Sequence, residues 1–184
     1  MRVRRPRPSR PGAALAVLLL VLLAGCAGAG GDDDMPGAPD DDLTAPRSGG
    51  TLPDVRLDAL TGDGALDLAD LEGPAVVNLW ASWCGPCERE LPYYQEFSER
   101  YAGVVDVVGI DFQETRVDRA RAMLRDAGVT YPVYADPDGE LRAVALPKVV
   151  LVDADGEIAF EQYLEIDGPD QLAALVRDHL GVEQ

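Results

Sequence analysis

Two cysteines two residues apart, Cys84-Gly85-Pro86-Cys87, stand where an apolar strand-like run meets a helix-like one. Ala75-Val76-Val77-Asn78-Leu79-Trp80 reads as a buried strand, and Glu88 to Tyr101 places Leu91, Tyr94, Phe97 and Tyr101 at helical spacing. At such a junction the unpaired backbone N–H groups and the positive end of the helix dipole face Cys84, and both favour a thiolate. Cys87, one turn on, is within reach of the Cys84 sulfur and can resolve a mixed disulfide by exchange. Pro86 fits the first helical turn, where a missing N–H costs nothing. Two other readings of the pair are half of a zinc knuckle and a static disulfide. Zinc sites built from Cys and His usually take four ligands, and the chain has three cysteines and one histidine, His179, near its end. A bridge across two residues closes a very short loop and restrains the unfolded chain little. The context therefore favours redox chemistry, with no metal and no cofactor expected.

The rest of residues 51–184 alternates in the same way. Val104 to Ile110 reads as a second strand, and Thr115 to Ala127 as a helix opened by Thr115 with Asp118 three residues on and closed by Gly128. Val149 to Val152 and Ile158 to Tyr163 flank the turn Asp153-Ala154-Asp155-Gly156 and predict a hairpin; Pro169 to Leu180 predicts a last helix with Leu172, Leu175, Val176 and Leu180 on one face. Strand, helix, strand, helix, hairpin and helix give a three-layer α/β domain with a mixed sheet. Trp80 is expected in the core, Trp83 half-exposed beside Cys84, and His179 at the surface or half-buried.

The first 50 residues are of another kind. Arg2, Arg4, Arg5, Arg7 and Arg10 precede an uncharged apolar stretch, Ala13 to Leu23, which reads as an export signal over residues 1–25. Leu23-Ala24-Gly25-Cys26 resembles the lipobox of bacterial lipoproteins, which implies cleavage before Cys26 and lipidation of its thiol. The competing reading is an uncleaved membrane helix, whose strongly apolar part falls short of the roughly 20 residues a span needs. Residues 26–50, with Asp32-Asp33-Asp34 and Asp40-Asp41-Asp42, read as a flexible, self-repelling spacer without the ligand spacing or turn glycine of a calcium loop. The formal net charge of -17 sets phosphate backbones apart from this chain, so no nucleic-acid partner is expected. Partners that are not acidic fit it better.

Trp80-Ala81-Ser82-Trp83-Cys84-Gly85-Pro86-Cys87, with Leu91-Pro92 after it, resembles the active site of the thioredoxin superfamily. The segment from Leu52-Pro53-Asp54 to Leu71-Glu72-Gly73-Pro74 resembles the N-terminal hairpin of its membrane-tethered TlpA/ResA/CcmG branch. The resemblance implies a thioredoxin-like fold with an N-terminal β-hairpin extension, Cys84 as attacking thiolate and Cys87 as resolving thiol. It places Trp83, Gly85 and Pro86 against the substrate, and Leu146-Pro147 at the family's cis proline, where the Leu146 backbone would pair with an extended substrate chain. An ordinary trans proline opening a strand is the alternative there. The buried aspartate of cytoplasmic thioredoxins is replaced by Asn78, which cannot titrate. By alignment with the ResA-like branch, Glu114 becomes the carboxyl expected to have a raised pKa and to move the Cys87 proton, with Asp111 as its competitor and a solvated helix-preceding acid as the plain alternative. The chain departs from the family between Glu140 and Ala145, where relatives have more helix. Implied partners are protein thiols or disulfides, apocytochrome c among them, and a membrane electron donor, for an extracytoplasmic, lipid-anchored monomer acting as a reductase. A disulfide-introducing oxidase is the first alternative; a copper chaperone or a thiol peroxidase on the same fold is the second.

Overall fold

The computed structural model describes residues 44–183. The signal-like segment, Cys26 and most of the acidic spacer lie outside them. β1 (Arg56–Ala59) and β2 (Ala65–Asp67) form the N-terminal hairpin, followed by a 3-10 turn over Leu68–Asp70. β3 (Ala75–Trp80) then leads into α1 (Gly85–Arg100), β4 (Asp106–Phe112), α2 (Val117–Asp126), β5 (Val133–Asp136), β6 (Lys148–Val152), β7 (Ile158–Gln162) and α3 (Pro169–Leu180). One mixed sheet of seven strands runs β2-β1-β5-β4-β3-β6-β7, with β3 parallel to β4 and antiparallel to β6. β3 is central and buried at every position, which explains its nearly unbroken apolar sequence. Val76 and Trp80 face a core shared with all three α-helices, while Ala75, Val77 and Leu79 face the other way.

The α/β class and mixed sheet are as expected, but the layers are unequal. Leu91, Tyr94 and Phe97 of α1, Ala120 and Leu124 of α2, and Leu172 and Val176 of α3 all belong to one core cluster. The opposite face is covered by Leu68 of the 3-10 turn and by Leu52, Val55, Leu141 and Ala143 from irregular segments, with no α-helix. The short stretch 140–146 is the reason on one side: it folds as a tight turn, with the buried Asp136 carboxylate accepting from the Glu140 and Leu141 N–H groups at 2.9 and 3.0 Å.

Several boundaries move. α1 begins at Gly85, three residues before the expected Glu88, because Cys84 serves as its N-cap. β4 starts at Asp106 rather than Val104, because the Val104 and Val105 N–H groups both turn back onto the Tyr101 carbonyl at the end of α1. α2 starts at Val117; Thr115 does not cap it, and the Arg116 N–H is taken by the Glu114 carboxylate instead. β5 was not anticipated. It pairs parallel with β4 and antiparallel with β1, and so joins the N-terminal hairpin to the sheet. Pairing also begins before Thr51: Arg47 bridges Glu161 and Thr51 bridges Glu157, so the end of the stretch read as spacer lies antiparallel along the β7 edge. That covers a sheet edge that would otherwise offer unpaired backbone groups.

Gly73, just before β3, carries a stability prediction. A Cβ there would fall inside contact distance of the backbone oxygens of Val152 and Asp153, which cannot swing away as a side chain can. Gly73→Ala is expected to destabilise the domain by roughly 2–4 kcal/mol, as overpacking against fixed backbone does. Thermal or denaturant unfolding of the two proteins checks it, and equal midpoints would contradict it.

Candidate active site

β3 delivers the chain to the buried pair Ala81-Ser82 and then to Cys84, whose N–H donates to the Ala81 carbonyl at 3.1 Å. Cys84 has extended backbone angles and its sulfur accepts from the Cys87 N–H at 3.3 Å, so the sulfur itself occupies the capping position of α1. A capping sulfur stands at the positive end of the dipole, where negative charge is favoured. The two cysteines are joined as a disulfide with Cα atoms 5.3 Å apart. Cys87 is fully buried and Cys84 is 6% exposed, so only Cys84 offers an incoming group any access. Trp83 stands 51% exposed beside it, and Gly85 is exposed as well.

The Leu146–Pro147 bond is cis, as the resemblance implies; so, unexpectedly, is Gly73–Pro74. Pro147 directly precedes β6, whose first residue Lys148 pairs with Leu79 near the end of β3. The proline thus lies at the end of the sheet from which Cys84 emerges. Val144, shortly before this proline, is 64% exposed, and its N–H donates to the Tyr163 hydroxyl at 3.2 Å. Lys148 closes this edge with an ion pair to Glu161 at 2.7 Å and stands over the Tyr163 ring. His179 lies exposed on α3, with its ring against Phe160, away from the cysteines' helix end. Among the described residues no cluster of three or more His, Cys, Asp or Glu could hold a metal.

Three carboxyls lie under or beside the pair, and their environments differ. Glu114 accepts from the Ser82 N–H at 2.8 Å and the Arg116 N–H at 2.6 Å, tying the loop after β4 to the loop that carries Cys84. Burial would push its carboxyl up, but the hydrogen bonds from Ser82, Arg116 and Thr115 together outweigh burial and hold it below its ordinary value. The raised pKa expected of Glu114 is therefore not found, because hydrogen bonds from these three residues stabilise its charged form. Asp111 is pushed up to about 7, first by burial and then by the Glu114 charge, and neither of its oxygens has a hydrogen-bond partner.

The third carboxyl was missed. Glu90 is fully buried one turn beyond Cys87, on the same face of α1. Burial pushes it up to about 8; the Ile166 N–H, donating to Oε2 at 2.9 Å, pulls the other way, the Glu165 charge adds to the rise and the Arg89 guanidinium opposes it. The sequence did carry a signal: positions 87, 90, 94, 97 and 101 form one helical stripe, and a glutamate on a stripe of Cys, Tyr and Phe is out of place unless it has work to do inside. Behind Glu90 lie further buried polar side chains, Asn78, Tyr94 and Tyr131, with burial pushing both tyrosine hydroxyls up.

The chain is similar to known thiol-disulfide oxidoreductases. ResA, a thiol-disulfide oxidoreductase of Geobacillus kaustophilus, is 35% identical over 121 residues, covering 62% of this chain and 68% of that protein. ResA of Oceanobacillus iheyensis is 32% identical over 130 residues, 64% of this chain and 66% of its own length, so the chain spans about two thirds of these curated relatives. Among solved structures, a secreted thiol-disulfide isomerase from Corynebacterium glutamicum is similar with a TM-score of 0.62 and 25% identity, covering 78% of this chain and 93% of that one. A family model described as Redoxin matches residues 47–175, from the first residue paired to the sheet edge to the middle of α3. On that match, and on the thioredoxin-like fold that carries the cysteine pair, the chain belongs to the redoxin family.

Proposed function

We propose that the protein is an extracytoplasmic protein thiol-disulfide oxidoreductase, held at a membrane through a lipidated Cys26 and working as a reductase. The single observation that carries the reading is the Cys84–Cys87 pair at the N-terminus of α1, with only Cys84 open to the surface. In the reducing direction the Cys84 thiolate attacks a substrate disulfide and one substrate sulfur leaves as a thiolate. Cys87 gives up its proton, attacks the Cys84 sulfur and displaces the second substrate sulfur, so two electrons pass to the substrate and the disulfide is left on the enzyme. Glu90, buried one turn from Cys87, is the carboxyl best placed to take that proton; this role passes to it from Glu114, whose oxygens are engaged by backbone donors. An extended substrate segment pairs with the Leu146 backbone beside Pro147, and Trp83, Gly85, Pro86 and Val144 supply the surrounding surface.

The CGPC sequence supports the reducing direction, since thioredoxin lies at the reducing end of these proteins. Apocytochrome c, whose paired cysteines must be reduced before haem attachment, is the substrate we assign, with a membrane dithiol donor regenerating a monomeric enzyme. Attachment suits the geometry: the chain enters at the end of β7 that lies beside Lys148, where the Gln162 side-chain amide donates to the Thr44 carbonyl, on the redox side of the sheet. The experiment is trapping with Cys87→Ala in native membranes. Without the resolving thiol the mixed disulfide accumulates, and recovery of an apocytochrome on Cys84 is the expected result. Recovery of many different secreted proteins instead would reverse the direction and make the enzyme an oxidase.

A further inference from the structure

Residues 137–147, which bring the chain to Leu146 and Pro147, contain neither helix nor strand. A segment of that kind keeps one shape only where side chains hold it. At its start the hold is the buried Asp136 carboxylate, which accepts from the Glu140 and Leu141 N–H groups, and the Arg142 N–H donates to the Gly139 carbonyl at 3.0 Å. At its far end the hold is Tyr163, half-buried just beyond β7. The Val144 N–H donates to its hydroxyl at 3.2 Å, and the Lys148 ammonium stands 5.5 Å from the centre of its ring. Val144 comes two residues before Leu146 and Lys148 directly after Pro147, so one aromatic side chain grips both flanks of the Leu146–Pro147 pair. Lys148 is the only lysine in the sequence. Its side chain is 14% exposed and is fixed by Glu161 of β7 at 2.7 Å, which keeps the ammonium near a ring face that attracts it more strongly when water is partly excluded.

We propose that Tyr163 is a positioning residue that sets specificity for protein disulfides: by holding Val144 and Lys148 it keeps the Leu146 backbone in place for an extended substrate chain. The inference rests on the exchange reading and on the Leu146 backbone as the pairing edge. An edge already fixed before the substrate arrives need not be ordered on binding, and the entropy so spared appears as affinity. A disulfide that carries no peptide chain gains nothing from it. The bonds that place the attacking sulfur are separate ones: the Cys84 N–H donates to the Ala81 carbonyl, the sulfur accepts from the Cys87 N–H, and the Ser82 N–H donates to the Glu114 carboxylate. Tyr163 therefore acts on the binding of a protein substrate and not on the sulfur exchange itself.

The test compares the full chain with Tyr163→Phe and Tyr163→Leu in dithiol-driven reduction of two substrates, insulin, whose disulfides lie on peptide chains, and hydroxyethyl disulfide, which has no backbone. Phenylalanine keeps the ring beside Lys148 and removes only the acceptor of the Val144 N–H; leucine removes both. For insulin, KM is expected to rise about fivefold in Tyr163→Phe, the worth of one hydrogen bond, and further in Tyr163→Leu, with kcat unchanged. Hydroxyethyl disulfide should be reduced at the wild-type rate by all three proteins. Hydrogen exchange of the Val144 amide should quicken by a similar factor, about fivefold, in Tyr163→Phe. Equal losses toward both disulfides would show that Tyr163 merely supports the fold, and an unchanged KM for insulin in folded variants would show that its contacts do not bear on binding; either overturns the proposal while leaving exchange intact. A wild type that reduces neither disulfide overturns the exchange reading and this inference together. Should the variants fail to fold, a wild-type Val144 amide that exchanges as fast as the exposed Ala145 amide overturns the hold.

Discussion

A Cys84→Ser chain is expected to lose at least about 10³-fold in thiol-disulfide exchange, to the point where only the background reaction of free dithiol remains. The size of the effect follows from accessibility. Cys87 is completely buried beneath the first turn of α1, so it cannot replace Cys84 as the nucleophile toward a protein disulfide. A serine hydroxyl lacks the low pKa that makes a thiolate the attacking species. The same substitution should leave the fold in place, because serine is itself a favoured N-cap and can accept from the Cys87 N–H as the sulfur does. The lost bridge spans a sequence separation of 3, so the stability cost relative to the oxidised protein should stay under about 2 kcal/mol. Dithiol-driven reduction of a protein disulfide, measured beside thermal unfolding, separates the two expectations. Retained reductase activity in a folded Cys84→Ser protein would refute the mechanism.

The parts of this site that could be read from sequence are those that local chemistry fixes. An apolar run, a cysteine pair with proline in the first turn, and an apolar helical stripe each announce themselves within a few residues, and β3, the CGPC turn and α1 stand where those signals put them. β5 escaped because it is four residues long, follows a proline and is held by pairing with β1 and β4, neither of which is near it in sequence. The carboxyls show the same division more sharply. An alignment can bring Glu114 to the right end of β4, but whether its charge is welcome depends on donors arriving from Ser82, 32 residues earlier. Glu90 lay in plain view on a stripe with Cys87, Tyr94, Phe97 and Tyr101, and was passed over because an acid on a helix is ordinarily a solvated acid.

Glu90→Gln is expected to slow resolution of the mixed disulfide by roughly 10²-fold near neutral pH, and at the same time to make the folded protein more stable at alkaline pH. The two effects have one cause. A carboxyl whose folded pKa is raised from 4.5 to about 8 binds its proton more tightly in the folded state than in the unfolded one. Its contribution to stability is therefore complete below about 4.5, declines as pH climbs, and by about 8 has given way to the cost of a buried charge. Glutamine keeps an oxygen for the Ile166 N–H and cannot ionise, so that decline disappears. Asp111, raised from 3.8 to about 7, has the same sign and overlaps the lower part of the window. The interval between about 7 and 8 consequently isolates Glu90, with the Glu165 and Arg89 charges and the Tyr94 and Tyr131 hydroxyls present in both proteins. Chemical denaturation at intervals across pH 4 to 9 should show the wild type losing stability through that upper interval and the variant holding level. A wild type as flat as the variant would mean that Glu90 is ionised inside the fold throughout, and a carboxyl already without its proton at pH 5 is too weak a base to take one from the Cys87 thiol effectively. The raised pKa is what lets one buried carboxyl do both, taking the proton when Cys87 must become a thiolate and returning it when the disulfide is reduced.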